Sequence, residues 1–130
     1  MMYEAQISYV SEEKAVKEWL VVENEELFKD VEGVLYDTFN GLGELDVMAI
    51  RRSKIKEVAN NRQSQDDLLW LAEVRDVFLT DEGNEKEMKY KIIFYAKTFD
   101  AAKAFMVEYL TQGYNMELIG LKLSKFSDVL

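Results

Sequence analysis

The first residues of the chain alternate between apolar and polar side chains, which predicts a half-buried β-strand. The apolar face of this strand carries Tyr3, Ala5, Ile7 and Tyr9, and the polar face carries Glu4, Gln6 and Ser8. The polar turn SEEKA then leads to EWLVV, whose apolar residues on both faces predict a strand inside a sheet. The chain is therefore predicted to begin with a β-hairpin.

A helix and a third strand are predicted next. Leu27, Val31, Leu35 and Phe39 recur at helical spacing, with Phe28 and Val34 beside them. Gly41 follows at a position that suits the left-handed end of a helix. The third strand carries Leu45, Val47 and Ala49. Residues 1–59 are thus predicted to fold in the order β-β-α-β, with the third strand beside the first.

The second half of the chain has the same pattern. Trp70, Ala72 and Val74 begin a strand, the Gly-containing turn TDEGNEKE follows, and YKIIFYA is a second strand with two apolar faces. The helix after it is predicted to be capped by Thr98, to carry Phe99, Ala102, Met106, Tyr109 and Leu110 on one side, and to end near Gly113. The last strand carries Met116, Leu118 and Gly120.

A similar sequence segment, here called the closing phrase, ends each half of the chain. ELDVMAIRRSKIKEVA and NMELIGLKLSKFSDVL align at a shift of 71 positions, which brings Ser53 onto Ser124 and places Trp19, Val21 and Val22 on Tyr90, Ile92 and Ile93. We interpret the pattern as an internal duplication. The phrase is predicted to end as a turn or short helical piece, with Ile55 and Val58, or Phe126 and Val129, on the core.

The predicted fold class is α+β, with two tandem β-β-α-β repeats related by a pseudo-twofold and an antiparallel sheet with helices packed on one face. The 130 residues are expected to form a single domain. Repeat one covers about 1–59, a basic connector about 60–67, and repeat two about 68–130. The two repeats either share a sheet of about six strands or pack as two layers.

The inner strands also predict self-association. One helix in each repeat covers one face of the sheet, so that the apolar residues of the other face would meet water. These are Trp19 and Val21, or Leu20 and Val22, in the first repeat and alternate members of Ile92, Ile93, Phe94 and Tyr95 in the second. We expect either face-to-face packing of the two halves or a homodimer that buries the second face. The homodimer is the favoured alternative.

A family resemblance rests on two segments, WLAEVRDVFLTDEGNEKEMKYKIIFYAKTFDAAKAFM and YNMELIGLKLSKFSDVL. They resemble a small family of Bacteroidetes and bacteriophage proteins that is catalogued as a domain of unknown function. The resemblance covers nearly the whole chain, including ELDVMAIRRSKIKEV. It implies the same fold and a phage or mobile-element setting, and it carries over no active-site residue. The segment ENEELFKD is more acidic than the family pattern.

The composition argues against catalysis. The chain has no histidine and no cysteine, so it lacks the commonest general base, the commonest transition-metal ligands and any thiol nucleophile. We expect no enzyme activity and no catalytic, metal-binding or cofactor-binding residue. No signal peptide or membrane-spanning run is visible, so a cytoplasmic location with no membrane partner is expected.

Charge supplies the candidate sites. The formal net charge is −9, and its acidic share is concentrated in the first half of the chain. The candidate partner-binding residues are Glu23, Glu25, Glu26, Asp30, Glu32 and Asp37. The candidate contacts to nucleic acid or a partner are Arg51, Arg52, Lys54, Lys56 and Arg62. The alternatives without a binding role are a solvated helix face for the acidic set and a solvated connector for the basic set.

Three functions are consistent with this sequence. The first is a non-enzymatic acidic protein-interaction module with an unidentified protein partner, in a phage or mobile-element accessory protein. The second is an inhibitor that imitates DNA phosphates and occupies the nucleic-acid site of a host enzyme or defence protein. The third is weak nucleic-acid binding through residues 51–62, which the acidic balance makes less favoured.

Overall fold

The structure, a computed structural model, describes residues 2–23, 25–41, 43–112 and 116–130. Within those ranges the chain forms eight strands and two helices in an α+β arrangement. The elements are β1 Tyr3–Ser11, β2 Lys14–Val22, α1 Phe28–Thr38, β3 Gly43–Arg52, β4 Ile55–Val58, β5 Leu68–Leu79, β6 Glu85–Ala96, α2 Phe99–Leu110, β7 Met116–Leu123 and β8 Phe126–Val129. Neither helix is long and apolar enough to cross a membrane.

The chain divides into two compact units. Unit 1 comprises Met1–Lys54 and Lys125–Leu130, and unit 2 comprises Ile55–Ser124. The sheet of unit 1 has the strand order β3-β1-β2-β8, and that of unit 2 has the order β4-β6-β5-β7. Within the described residues the strands therefore form two four-stranded sheets rather than one shared sheet of six. The third strand of each half lies antiparallel beside the first, as predicted.

The closing phrases do not stay with their own halves. β4 follows β3 in the chain but pairs in parallel with β6 of unit 2. β8 follows β7 but pairs in parallel with β2 of unit 1. Both segments are strands, not the predicted turn or helical piece. Ile55 and Phe126 are buried as predicted, but each contributes to the unit that contains the other half's hairpin.

In unit 1 the apolar sides of α1 and the sheet pack together. The buried cluster consists of Tyr3, Ala5, Ile7, Leu20, Val22, Val31 and Leu35. Val31 and Leu35 are one helical turn apart, so both meet the sheet. Gly41 has a φ of 98°, the left-handed conformation predicted for the chain that leaves α1.

Unit 2 has the corresponding cluster under α2. It consists of Trp70, Ala72, Val74, Ile92, Phe94, Ala102, Met106 and Leu110. The Thr98 side chain accepts a hydrogen bond from the Ala101 backbone N–H at 3.1 Å, which confirms the predicted cap. Trp70 Nε1 donates to the Ala96 carbonyl oxygen at 2.9 Å. The predicted helix end at Gly113 lies outside the described residues.

Strand register corresponds closely between the two sheets. Ala5 lies opposite Ile50 and Ala72 opposite Leu121, each just before a register shift, between Gln6 and Ile7 in one sheet and between Glu73 and Val74 in the other. The second strands differ from the alignment made on sequence. Tyr3 lies opposite Val22 and Trp70 opposite Phe94, so Val21 corresponds to Ile93 and not to Ile92. Relative to unit 1, the second strand of unit 2 therefore lies one residue further along the chain than the sequence alignment places it.

The sheet faces turned away from the helices are also buried in places. Val21 and Ile93 alternate with residues of the helix-side clusters, yet both are fully buried. Glu4, on the same face of β1, is buried as well. Val21 and Ile93 therefore do not meet water, whereas Trp19 is half-buried.

Candidate functional site

The six acidic candidates occupy two different settings. Glu23, Glu25 and Glu26 precede α1, whereas Asp30, Glu32 and Asp37 lie within it. Glu26, Glu32 and Asp37 are exposed, and the other three are half-buried. Among the described residues none of the six carboxylates takes part in an ion pair. Their negative charge is therefore available to a partner.

Apolar side chains accompany these acids. Phe28, Glu32 and Tyr36 are spaced four residues apart and so form one row along the helix. Phe28 is 50% exposed and Tyr36 is 46% exposed, and Leu27, which precedes the helix, is 53% exposed. The Phe28 ring meets the edge of the Tyr3 ring at 5.2 Å between centroids. We define the α1 acidic surface as Glu26, Leu27, Phe28, Glu32, Tyr36 and Asp37.

A hydrogen bond from β1 holds the segment that precedes α1. The Tyr3 hydroxyl donates to the Glu26 carbonyl oxygen at 2.8 Å, which ties the segment before α1 to the buried face of β1. Val31 and Leu35 fix the rotation of the helix by facing the sheet. Polar and aromatic residues at the other helical positions must then face outward.

The five basic candidates do not form one connector. Arg51 and Arg52 end β3, Lys54 follows in unit 1, Lys56 lies in β4, and Arg62 lies in the connection before β5. The unit boundary falls between Lys54 and Ile55. The five cations are thus divided between the two units.

Arg51 neutralises a buried carboxylate. Its Nε and Nη2 atoms donate to Glu4 Oε1 at 3.1 and 2.9 Å, and Ser53 Oγ donates to Glu4 Oε2 at 2.7 Å. Lys125 Nζ lies 3.7 Å from Glu4 Oε1. The guanidinium of Arg51 and the ammonium of Lys125 also lie 4.8 and 4.2 Å from the centre of the Trp19 ring. Two members of the closing phrases thus converge on one acid.

Lys56 and Arg62 are engaged in unit 2. Lys56 Nζ lies 3.7 Å from the centre of the Tyr90 ring. The Arg62 guanidinium carbon lies 4.7 Å from the centre of the Tyr95 ring, and Arg62 Nη1 donates to the Asp67 carbonyl oxygen at 2.7 Å. Such contacts stabilise cations by about 0.5–2 kcal/mol each. Arg52 and Lys54 are exposed.

The connection before β5 is ordered by its own side chains. Asn60 Nδ2 donates to the Tyr95 carbonyl oxygen at 2.9 Å, and the Tyr95 N–H donates to Asn60 Oδ1 at 2.7 Å. The buried Asp67 carboxylate accepts from the backbone N–H groups of Gln63 and Ser64 at 2.8 and 3.0 Å. The segment is exposed in large part, but these hydrogen bonds hold it in a defined conformation.

In the described ranges, no group of three or more acidic side chains is placed to hold a metal ion. Asp81 and Glu82 lie exposed in the turn between β5 and β6, as predicted for an ordinary hairpin. Gly83 in that turn has a φ of 81°, which a glycine adopts without strain.

Comparison with known proteins gives one match. The model of the family described as Domain of unknown function (DUF4494) matches residues 1–130. The chain belongs to this family. No curated protein and no solved structure matches it. The membership inferred from the sequence motifs is thus confirmed as far as a domain of unknown function.

Several interacting residues of this DUF4494 chain were not anticipated from sequence. Glu4, Trp19 and Lys125 form the buried-acid cluster, and Tyr109 pairs with Glu57. The Tyr109 hydroxyl donates to Glu57 Oε1. Burial, followed by this hydrogen bond and the Glu57 charge, raises the pKa of Tyr109 to about 12. The alternation of β1 placed Glu4 opposite the apolar face, and helical spacing placed Tyr109 on the inner side of α2, but neither pattern predicted the partners of these residues.

Proposed function

We propose that this DUF4494 chain is a non-enzymatic protein-interaction module whose α1 acidic surface binds a basic surface of another protein. One contrast supports the proposal. Arg51, Lys56 and Arg62 are engaged within the chain, whereas the α1 carboxylates take part in no ion pair among the described residues. Complementary charge would bring a basic partner to this surface quickly and in a defined orientation.

Apolar contacts would supply the centre of the interface. Leu27, Phe28 and Tyr36 are exposed between the acids. Aromatic side chains that become desolvated at an interface commonly contribute most of the binding energy, and charged side chains form the rim. The partner we propose is therefore a protein with cations around an apolar depression.

The biological setting is part of the same proposal. The family resemblance supports an accessory role in a phage or mobile element. The corresponding register shifts, which leave Met48 of β3 and Ile119 of β7 unpaired, support an origin by internal duplication, because two unrelated sheets would not be expected to shift register at equivalent residues. The acidic segment ENEELFKD at the start of α1 distinguishes the first half from the second.

Paired variants of equal charge test the proposed surface. The test variant carries Glu26→Gln, Glu32→Gln and Asp37→Asn. The control carries Asp81→Asn and Glu82→Gln in the β5–β6 turn and Glu85→Gln at the start of β6, all at exposed positions. Each loses three negative charges. Partners captured from the host by wild-type protein are identified, purified and titrated against all three forms at low and moderate salt.

We expect the test variant to bind the purified partner at least tenfold more weakly than the control, and wild-type affinity to fall as salt rises. Equal affinity of the two variants would contradict the α1 surface. Turnover of a substrate that one carboxylate substitution abolishes would contradict the non-enzymatic role.

A second candidate shares this surface. If α1 imitates DNA phosphates, double-stranded DNA and the chain should compete for the same partner, because both would occupy one basic groove. The exposed Glu26, Glu32 and Asp37 support this alternative. Competition by an oligonucleotide duplex, measured on the purified complex, decides between mimicry and simple protein binding.

A further inference from the structure

A cavity of about 240 Å³ in unit 2 is separate from the α1 acidic surface. It is bounded by β4, by the C-terminal end of α2 and by the start of β7. Its polar wall includes Lys56, Glu57, Tyr90 and Tyr109. Pockets for drug-sized ligands are commonly about 300–1,000 Å³, so this cavity suits a smaller molecule.

A bulge explains why two neighbouring residues of β4 line one cavity. Successive side chains of a regular strand point to opposite faces of the sheet. The pairing of β4 with β6 shifts register between Ile55 and Glu57, and such an irregularity re-aims a side chain. Lys56 and Glu57 thereby place a cation and a carboxylate at the same opening.

Both charges are held by aromatic side chains. The Lys56 ammonium lies 3.7 Å from the centre of the Tyr90 ring. Glu57 accepts the hydrogen bond of Tyr109, whose ring stacks on Phe105 at 5.9 Å between centroids. The ammonium and the carboxylate retain further hydrogen-bonding capacity, because an ammonium has three donors and a carboxylate accepts several bonds.

The last turn of α2, which also borders the cavity, contains no basic residue that would compete for the Glu57 carboxylate. Val74, Ile92 and Met116 provide the apolar part of the cavity wall. Val74 and Ile92 also belong to the buried cluster under α2, so this wall is fixed.

We propose that the cavity binds a small zwitterion, an α-amino acid with an apolar side chain. The Lys56 ammonium binds the ligand carboxylate, and the Glu57 carboxylate binds the ligand ammonium. The ligand side chain contacts Val74, Ile92 and Met116. A site with one fixed charge of each sign is complementary to a ligand with one charge of each sign, and a simple amine or acid would use only half of it.

Matched ligands test the charge requirement. Free leucine, methionine and phenylalanine are titrated against the full chain by calorimetry and by thermal melting. Leucinamide, which lacks the carboxylate, and N-acetyl-leucine, which lacks the ammonium, are the controls. We expect at least one free amino acid to bind and raise the melting temperature. For leucine we expect each control to bind about tenfold or more weakly, since one charge-assisted contact is lost.

Matched variants test the residues. Lys56→Met and Glu57→Gln should each weaken binding about tenfold or more while the chain stays folded by circular dichroism. Lys54→Met removes an exposed cation just before β4 and should leave binding unchanged. The proposal is overturned if none of the three amino acids shifts the melting temperature at concentrations on the order of 10 mM. Equal binding of the two controls and leucine, or wild-type binding by both cavity variants, would overturn it as well.

Discussion

At the scale of single residues, Glu4 shows where sequence reasoning stops. The alternation of β1 placed it correctly on the face away from Tyr3 and Ala5, and a polar residue on such a face is normally solvated. The structure buries it and supplies Arg51, Ser53 and Lys125 as partners. These partners are distant in the chain, so local periodicity could not reveal them.

Arg51 and its neighbour Arg52 allow a direct test of the buried-acid cluster. Arg51→Gln removes two charge-assisted hydrogen bonds to Glu4 and should lower the free energy of unfolding by about 1–2 kcal/mol. This loss is small for hydrogen bonds to a charged group because the Arg51 side chain is 55% exposed, and solvent therefore screens its charge. Arg52→Gln, at an exposed position, should stay within about 0.5 kcal/mol. Urea denaturation measures both, and equal effects would contradict the structural role of Arg51.

Tyr109 predicts an alkaline transition. Its pKa is raised to about 12, from about 10 in an unfolded chain. The neutral phenol is therefore favoured by folding, and this stabilisation is fully present below pH of about 10 and is lost as pH rises toward about 12. Tyr109→Phe should remove the highest-pH tyrosinate transition in an ultraviolet titration. Tyr36→Phe, at an exposed position, should leave that transition in place; its persistence in Tyr109→Phe would contradict the assignment.

At the scale of elements, apolar spacing predicted the hairpins, both helices and the position of the third strands. Local rules determine these features: four-residue spacing produced α1, and a threonine before an apolar stripe produced the cap of α2. The exchange of β4 and β8 was not predicted. The apolar pattern of a four-residue strand shows that it is buried, but any sheet edge with the right neighbours could bury it.

The exchange of closing strands predicts which unit each substitution weakens. Phe126→Ala should cost about 3–5 kcal/mol, and Ile55→Ala about 2–5 kcal/mol, because both side chains are buried. Native-state hydrogen exchange should become faster mainly in β1 and β2 for Phe126→Ala, and mainly in β5 and β6 for Ile55→Ala. The reverse pattern would mean that each strand completes its own half.

At the scale of the whole molecule, burial changes the argument for self-association. The homodimer was predicted because Val21 and Ile93 would otherwise meet water, and both are fully buried in one chain. These two residues therefore no longer argue for a dimer, although apolar residues of the edge strands such as Met48 and Leu123 are exposed. We expect sedimentation at micromolar concentration to find a monomer. A stable dimer would instead have to use exposed strand edges such as β3 or β7, and substituting proline in one of them should then dissociate it.

The net charge of the chain argues against nucleic-acid binding. A chain with a net charge of −9 repels nucleic acid at long range, and three of the five candidate cations are engaged within their own units. Exposed Arg52 and Lys54 provide two phosphate contacts, whereas non-specific DNA binding at dissociation constants of about 10⁻⁴–10⁻⁶ M usually rests on more. We expect no gel shift of single- or double-stranded oligonucleotides at about 10 μM protein and low salt. A shift that weakens steeply with salt and disappears in Arg52→Gln with Lys54→Gln would instead establish these residues as a nucleic-acid contact.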